Sequence, residues 1–251
     1  MVFSAVTVIP FYNHPSTIGA MVEGVLRAGL ACIVVNDGSA ADGAAVLDAL
    51  ARRHGERVQV MHLVHNQGKG AAMMTGLRAA LRQGYTHAVQ IDADGQHRTD
   101  EIARFVEAAH AQPLAMVCGA PLYDASVPKG RLYARYFTHV WVWINTLSLD
   151  IEDSMCGMRV YPLAETIRLF DQARLGRRME FDTEVLVRLH WRGVPMCTLR
   201  TPVVYPQDGI SHFQLWRDNV LISGMHARLF AGMLVRIPWL LTRRLRRAVS
   251  A

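Results

Sequence analysis

Lysine is almost missing from this chain: Lys69 and Lys129 stand against 25 arginines. Cysteine is sparse and scattered. Cys32, Cys118, Cys156 and Cys197 form no C-x-x-C pair, which excludes the usual zinc spacings and a disulfide framework and suits a reducing compartment. No secretory signal is expected, because residues 2–10 carry neither a basic n-region nor a small-residue cleavage site. A clean membrane span is also missing. The best stretch, 220–241, is broken by His226, Arg228, Arg236 and Pro238, short of the ~20 apolar residues that a span needs. The G-x-x-x-x-G-K-[ST] spacing is absent, and no strand-like run leads into G-x-G-x-x-G, so neither a Walker loop nor a dinucleotide fingerprint is present. Internal repeats and low-complexity tracts are absent too, and the composition excludes collagen-like, coiled-coil and mucin-like chains.

What is there is an ordinary globular composition. The 251 residues are 51% hydrophobic and 19% charged. That length suits one domain, or one domain with an appendage, and lets a chain bury roughly 70–75% of its unfolded surface without staples. Charge is unevenly placed. Residues 1–215 hold 20 basic and 20 acidic side chains, whereas 216–251 hold seven arginines and one aspartate, so the net charge of +6 lies in the tail. The pI of about 9.5 therefore marks a neutral body with a basic tail, not a nucleic-acid footprint. The body also lacks the interleaved basic and aromatic residues of a single-strand groove. The expected division is a domain over 1–215 and a basic amphipathic helical tail over 216–251.

Apolar periodicity alternates between two kinds. Short β-branched runs at 6–10, 32–35, 58–63, 87–91 and 114–118 read as strands, and 17–28, 42–54, 69–83 and 99–111 read as helices between them. That alternation implies parallel pairing through right-handed crossovers: an α/β fold with a doubly wound, mostly parallel sheet. Ligands of such sheets bind beyond the C-terminal strand ends. Tyr12-Asn13, 36–39, 65–69 and 92–97 all fall there and carry the polar and glycine-rich residues. The second half is less regular. It has an aromatic-rich segment at 131–149, a polar loop at 153–159, a helix at 180–191, a last strand at 198–205 and a turn at 206–211. In the helix, Phe181, Val185, Leu186 and Leu189 form the expected buried side.

Three segments carry chemistry. Asp92 and Asp94 are separated by one residue just past an apolar strand, so their carboxylates point roughly the same way. Two like charges held together call for a compensating cation, a hard divalent ion with oxygen ligands that bridges a substrate phosphate. Helix capping by Asp94 or Thr99 is the other reading, and Thr99 serves it well. Asn36-Asp37-Gly38-Ser39 is either an ordinary turn or a strand-end carboxylate for a base or ribose. Asn66-Gln67-Gly68-Lys69-Gly70-Ala71-Ala72 lets a phosphate approach a helix N-terminus, with Lys69 as a point charge, unless the arginine bias is genomic and Lys69 stands there by chance.

Taken in order, Pro10-Phe11-Tyr12-Asn13, 35–39, 66–72 and 92–97 resemble the motifs of family-2 glycosyltransferases, which have the GT-A nucleotide-diphospho-sugar transferase fold. Asp153-Ser154-Met155-Cys156-Gly157-Met158-Arg159 is similar to the D-x-x-x-G-x-R stretch of the dolichol- or polyprenyl-phosphate sugar transferases. The resemblance covers residues 5 to about 205. It implies a nucleotide-sugar donor bound by Pro10, Tyr12, Asn13, Asp37, Lys69, Asp92 and Arg159, with Asp37 on the nucleobase and Arg159 facing phosphate. It implies Asp94 and Gln96 as ligands of Mg²⁺ or Mn²⁺, which neutralises the departing diphosphate. It also implies inverting transfer to a lipid or lipid-linked acceptor. One departure stands out: an arginine commonly follows the glycine after the fifth strand, and here the residues are Cys118-Gly119-Ala120-Pro121. Arg131 and Arg135 are the nearest replacements for that charge.

Asp182 lies where many members of this family carry a general base, which a hydroxyl acceptor needs and an anionic phosphate acceptor does not. The other reading of that helix is a solvated face carrying Glu180 and Glu184 at i,i+4. The tail combines Leu221, Met225, Leu229, Met233, Ile237, Trp239 and Leu241 with Arg228, Arg236, Arg243, Arg244, Arg246 and Arg247. That pattern fits an interfacial segment on anionic lipid, hence a cytoplasmic enzyme peripheral on the inner membrane face. The alternative is a final helix packed on the body with a solvated arginine face. His212, just before the tail, reads as structural. Two other functions compete. A nucleotidyltransferase would need a glycine-rich phosphate loop after the first strand, and Pro10-Phe11-Tyr12-Asn13-His14 is not one. A non-catalytic membrane-bound binding module would have lost the acidic pair, and both aspartates are present.

Overall fold

The computed structural model describes residues 2–122, 129–203 and 214–250, leaving aside the side chains of 129–134 and 244–250. The expected turn at 206–211, with His212, lies outside the described residues. Seven strands form one sheet in the order β3-β2-β1-β4-β6-β5-β7. They are β1 (Ala5–Phe11), β2 (Cys32–Asn36), β3 (Val58–His62), β4 (His87–Gln90), β5 (Met116–Leu122), β6 (Arg159–Pro162) and β7 (Met196–Pro202). The first four pair in parallel, in the register Thr7↔Cys32, Cys32↔Val58 and Ala5↔His87. Strand order reverses at β1, with β2 on one side and β4 on the other, which is the switch point where such sheets open a crevice.

β6 and the helix after it are absent from the sequence reading. β6 runs antiparallel between β4 and β5, with Gln90 opposite Arg159. Its four residues, Arg-Val-Tyr-Pro, contain an arginine and a proline, so the run lacks the apolar signature of a buried strand.

Helices cover both faces: α1 (Pro15–Arg27), α2 (Ala41–His54), α3 (Lys69–Arg82), α4 (Ile102–Ala111), α5 (Lys129–Thr146), α6 (Leu163–Gln172), α7 (Phe181–Trp191) and α8 (Leu215–Ser250). Strand side chains alternate between two cores. Val6, Val8, Ile33 and Val35 pack in one core with Leu77, Phe181, Leu186 and Leu229. Ile9, Val34 and Val89 pack in the other with Ile18, Leu47 and Phe105. Thr99 does not cap α4. A single turn of tight helix, Thr99–Glu101, precedes α4 and neither start has a side-chain cap, while Thr99 packs on α1 at Gly24, where a Cβ would meet its Oγ1 at 2.2 Å.

α7 carries no solvated acidic face. Glu180 and Glu184 are 4% and 0% exposed, because the helix sits between α3, α5, α6 and α8 and is covered almost all round. Glu184 accepts from the Gly176 N–H at 2.7 Å and pairs with Arg188 at 2.8 Å, so its charge is satisfied inside the fold.

α8 packs on α5 and α7 through Met225, Leu229, Met233 and Leu240. Trp191 of α7 is its anchor. A Cβ at Gly232 would meet the indole at 2.8 Å, Arg236 lies over the ring at 4.7 Å, and Trp239 donates to the Trp191 carbonyl at 3.3 Å. The other face stays open, with Val220, Leu234, Val235 and Trp239 at 54%, 49%, 82% and 53% exposure. By length and composition the section Leu215–Arg243, which contains an 18-residue window of mean hydropathy 1.4, is long and apolar enough to cross a membrane. The interrupting arginines do not prevent that, because its apolar residues are dense enough to offset them.

Candidate active site

The loops after β1, β2, β3 and β4 meet at one edge of the sheet. Asn13 has φ +52° and stitches the first two together: its N–H donates to Ser39 Oγ at 3.0 Å, and its Oδ1 accepts from the Ala40 N–H at 2.9 Å. Pro10 and Tyr12 flank it, each partly exposed at the crevice. Asp37 stands at the start of the second of these loops and is tied to the third. It is 3% exposed, and its two oxygens accept the Gln67 and Gly68 N–H groups at 2.7 and 2.8 Å. Burial pushes its carboxyl above the usual range in spite of those bonds. Asp37 thus shapes the loop before α3.

That loop delivers Lys69. Gly68 turns the chain at φ +101°, and a Cβ there would meet the Arg177 carbonyl at 2.4 Å, so only glycine lets α3 start this close to the 175–178 segment. Lys69 then points into the crevice, where Nζ lies 2.8 Å from Asp92 Oδ2 and 2.7 Å from Asp182 Oδ2. Burial opposes its charge, but the two carboxylates outweigh burial and hold the ammonium well above the ordinary lysine range. Asp182 shows the reverse. Burial would raise its carboxyl, yet Lys69 and then Arg159 outweigh burial and lower it.

Arg159 lies inside the fold. It is fully buried, and its guanidinium donates to the carbonyls of Cys156, Asp182 and Ser154 at 2.8, 2.6 and 2.7 Å. The reason is topological: Arg159 opens β6, an interior strand, and its charge holds the 153–158 loop against the start of α7. Arg135 is committed as well. It grips Asp153 through two bonds of 2.6 and 2.7 Å, and His139 lies 3.4 Å from the same carboxylate. Burial works against the Asp153 charge, but His139 and Arg135 hold the carboxyl far below its ordinary value. Arg135 therefore does not replace the arginine missing after Gly119, and the Arg131 side chain lies outside the described residues.

Three contributors escaped the sequence reading. Gln90, the last residue of β4, donates to Asp182 Oδ1 at 3.3 Å and accepts from the Tyr161 hydroxyl at 2.7 Å, so both orient the buried pair. Gly157 packs directly on Asp92, where a Cβ would stand 2.0 Å from Oδ2. The signal for Gly157 was its place in the D-x-x-x-G-x-R stretch. Gln90 and Tyr161 carried no signal, since a polar residue in a strand names no partner.

The acidic pair is thus divided. Asp92 is neutralised by Lys69. Asp94 is not: among the described residues its Oδ1 accepts only the Gln96 N–H, at 3.0 Å, and burial followed by the charge of Asp92 pushes its carboxyl up. Beside it His97 is 7% exposed, with Nδ1 buried and without a partner. No group of three or more histidine, cysteine or acidic residues is arranged to hold a metal among the described residues. Asp94 with the Gln96 amide oxygen fits a hard divalent ion that takes the rest of its oxygen ligands from phosphate and water, as Mg²⁺ often does.

The family model described as glycosyl transferase family 2 matches residues 6–166. The chain belongs to this family. Among its relatives, the polyprenol monophosphomannose synthase of Mycolicibacterium smegmatis is 37% identical over 171 residues, covering 61% of this chain and 60% of the relative. The chain thus spans less than two thirds of that relative's length. The undecaprenyl-phosphate mannosyltransferase of Micrococcus luteus is 29% identical over 179 residues, covering 66% and 68%. The fold is shared with a glucosyl-3-phosphoglycerate synthase of Mycobacterium tuberculosis solved with Mn²⁺ and UDP-glucose, at a TM-score of 0.66 over 93% of this chain and 79% of that one, with 14% identity. The family-2 match ends near α6, so α7, with Asp182, and α8 lie beyond it.

Proposed function

We propose that the protein is an inverting glycosyltransferase. It moves a sugar from a nucleotide-diphosphate donor to a lipid-linked acceptor at a membrane surface, with residues 1–215 carrying the transfer and 216–251 the membrane contact. The observation that carries the reading is the Lys69–Asp92–Asp182 cluster beside Asp94, at the switch-point edge of a family-2 domain. The names of the two relatives, a polyprenol monophosphomannose synthase and an undecaprenyl-phosphate mannosyltransferase, support a polyprenyl-phosphate acceptor.

In this mechanism the acceptor oxygen attacks the anomeric carbon as the bond to the diphosphate oxygen breaks, and the nucleoside diphosphate leaves. Asp94 and Gln96 would hold Mg²⁺ or Mn²⁺, which supplies Lewis-acid stabilisation of the leaving diphosphate. Pro10, Tyr12 and Asn13 line the donor crevice. Lys69 holds Asp92 in place at 2.8 Å, so that the edge of the sheet keeps its shape while a dianionic donor enters. Asp182 acts through Lys69 as a positioning residue. A carboxylate paired with an ammonium at 2.7 Å and lowered in proton affinity is a poor proton acceptor, whereas a phosphate acceptor arrives already anionic and needs no base.

The open face of α8 continues onto α5, where Tyr136, Phe137 and Val140 are 58%, 68% and 47% exposed. With the arginines of the tail, this surface fits peripheral binding to the cytoplasmic face of an anionic membrane. The direct test is a radiolabelled nucleotide-sugar panel with polyprenyl phosphate, run with Mn²⁺ and with chelator. Transfer of label into the lipid phase that chelator abolishes supports the reading. Absence of transfer for every nucleotide-sugar, with the protein folded, refutes it.

A further inference from the structure

A second cluster of cations lies away from Asp92 and Asp94. A cavity of about 420 Å³ is lined by His65 and Gln67 after β3, by Arg177, Arg178 and Glu180 before α7, and by Arg217 in the first turn of α8. Arg177 donates to Gln67 Oε1, and Arg178 to Asn66 Oδ1 at 3.3 Å, so each has a neutral partner, and Arg217 forms no ion pair among the described residues. Glu180 is 4% exposed. One of its oxygens accepts the Arg178 N–H at 3.4 Å, and the other, Oε2, is buried without a partner. Three guanidiniums thus face one cavity that also holds an unused hydrogen-bond acceptor. Asp37 stands behind Arg178 and Arg177 with its oxygens already given to backbone N–H groups.

The placement of Arg217 says where an anion would come from. Its neighbours Leu215 and Trp216 are 76% and 84% exposed, and Val64, next to His65, is 96% exposed. Large apolar side chains standing in solvent around a ring of arginines are the pattern of a surface that meets the headgroup layer of a bilayer. We propose that this cavity binds the headgroup of a membrane lipid: the phosphodiester lies among Arg177, Arg178 and Arg217, and a headgroup hydroxyl donates to Glu180. This rests on the membrane reading above and gives it a specific contact at the junction of the donor loops and α8.

The test uses the full chain and co-sedimentation with vesicles of phosphatidylcholine alone or of an equal mixture with phosphatidylglycerol. The double variant R177Q/R217Q should lose about 25-fold in affinity for the mixed vesicles, from two basic contacts at about fivefold each, with an unchanged melting temperature. R52Q/R53Q removes the same charge from exposed residues at the end of α2 and should lose less than about 3-fold, because it touches only the screened long-range field. An equal loss in both double variants overturns the proposal in favour of net charge. Wild-type binding by R177Q/R217Q overturns it while leaving the membrane reading intact. Failure of the wild type to bind any vesicle overturns both. Glycerol phosphate or a nucleoside diphosphate that releases the protein from the mixed vesicles identifies a soluble anion as the occupant and overturns the lipid assignment.

Discussion

Gly157→Ala is the smallest change that should disable this site. The added Cβ would stand 2.0 Å from Asp92 Oδ2 and 2.5 Å from its Cγ, while a Cβ essentially never has a non-bonded neighbour within 3.0 Å, so the carboxylate must move by about 1 Å or more. Asp92 is held at that point by the 2.8 Å bond from Lys69, and Lys69 is held in turn by Asp182. Displacing Asp92 therefore moves the whole cluster. Overpacking of this kind costs about 1–3 kcal/mol, or roughly 2–12 °C in melting temperature for a domain of this size. A misplacement of about 1 Å at a reacting centre costs about 10²-fold in rate. The assay is initial-rate sugar transfer well below the variant's melting temperature, paired with a thermal melt. Gly76→Ala is the control, since its Cβ would meet Val8 Cγ1 at 2.4 Å in the core, away from the acidic pair. It should lose stability and keep kcat. If Gly157→Ala transfers sugar at the wild-type rate, the placement of Asp92 does not matter to catalysis and the reasoning fails.

Asp182→Asn keeps an oxygen for Lys69, so transfer to a phosphate acceptor should fall by less than about 10-fold; a loss of 10²–10⁴-fold in kcat would restore the general-base role. Asp94→Asn removes a buried charge that Asp92 opposes, so the metal-free variant should melt at or above the wild-type temperature and lose any stabilisation by Mn²⁺; retained stabilisation by Mn²⁺ would place the ion elsewhere. Asp153 is held below its unfolded value, so its contribution is present above about pH 4 and is lost as pH falls further; Asp153→Asn should destabilise the protein at neutral pH and flatten the acid limb of its melting curve. His226 is buried between α5 and α8 and lowered to about 4, which makes the folded state resist its protonation. Stability should therefore fall as pH drops from about 6.5 toward about 4, with amide protection, corrected for the intrinsic exchange rate at each pH, falling first along α8; equal protection along α8 at both pH values would refute this.

The sheet edge was legible because its physics is local. Alternating apolar runs mark β1 to β4, and the polar loops after them must share one edge once the strands are parallel. The belonging of Asp92, Asp94 and Lys69 to one site followed from that edge. What each does did not follow, because their roles depend on contacts between distant segments. Nothing near position 92 announces that Lys69, 23 residues earlier, will neutralise it, or that Asp182, 90 residues later, will share the same ammonium. The burial of Arg159 was hidden for the same reason. Its motif suggests a phosphate, but an antiparallel strand with no apolar signature carries it inside. The acidic positions of α7 misled in the other direction. Their i,i+4 spacing is that of a solvated face, and the helix turned out to be covered by four others.

The scarcity of lysine gains a physical sense at this site. A chain that uses arginine almost everywhere keeps lysine at the one described position where a compact cation must fit between two carboxylates 2.8 and 2.7 Å away. An arginine there would bring a longer, planar fork in place of a compact ammonium, beside an Asp92 that Gly157 already packs against. Arg159, by contrast, needs that fork, since it satisfies three carbonyls spread over two segments. The two cations thus divide the work by shape. Arg159 ties the backbone of the loop and α7 together, and Lys69 supplies a point charge between the side chains that those segments present. Lys69→Arg should therefore behave as a disruptive change at this edge, with activity lost as fully as in Lys69→Met. Substantial transfer by the arginine variant alone would show that charge, not size, is what the position requires.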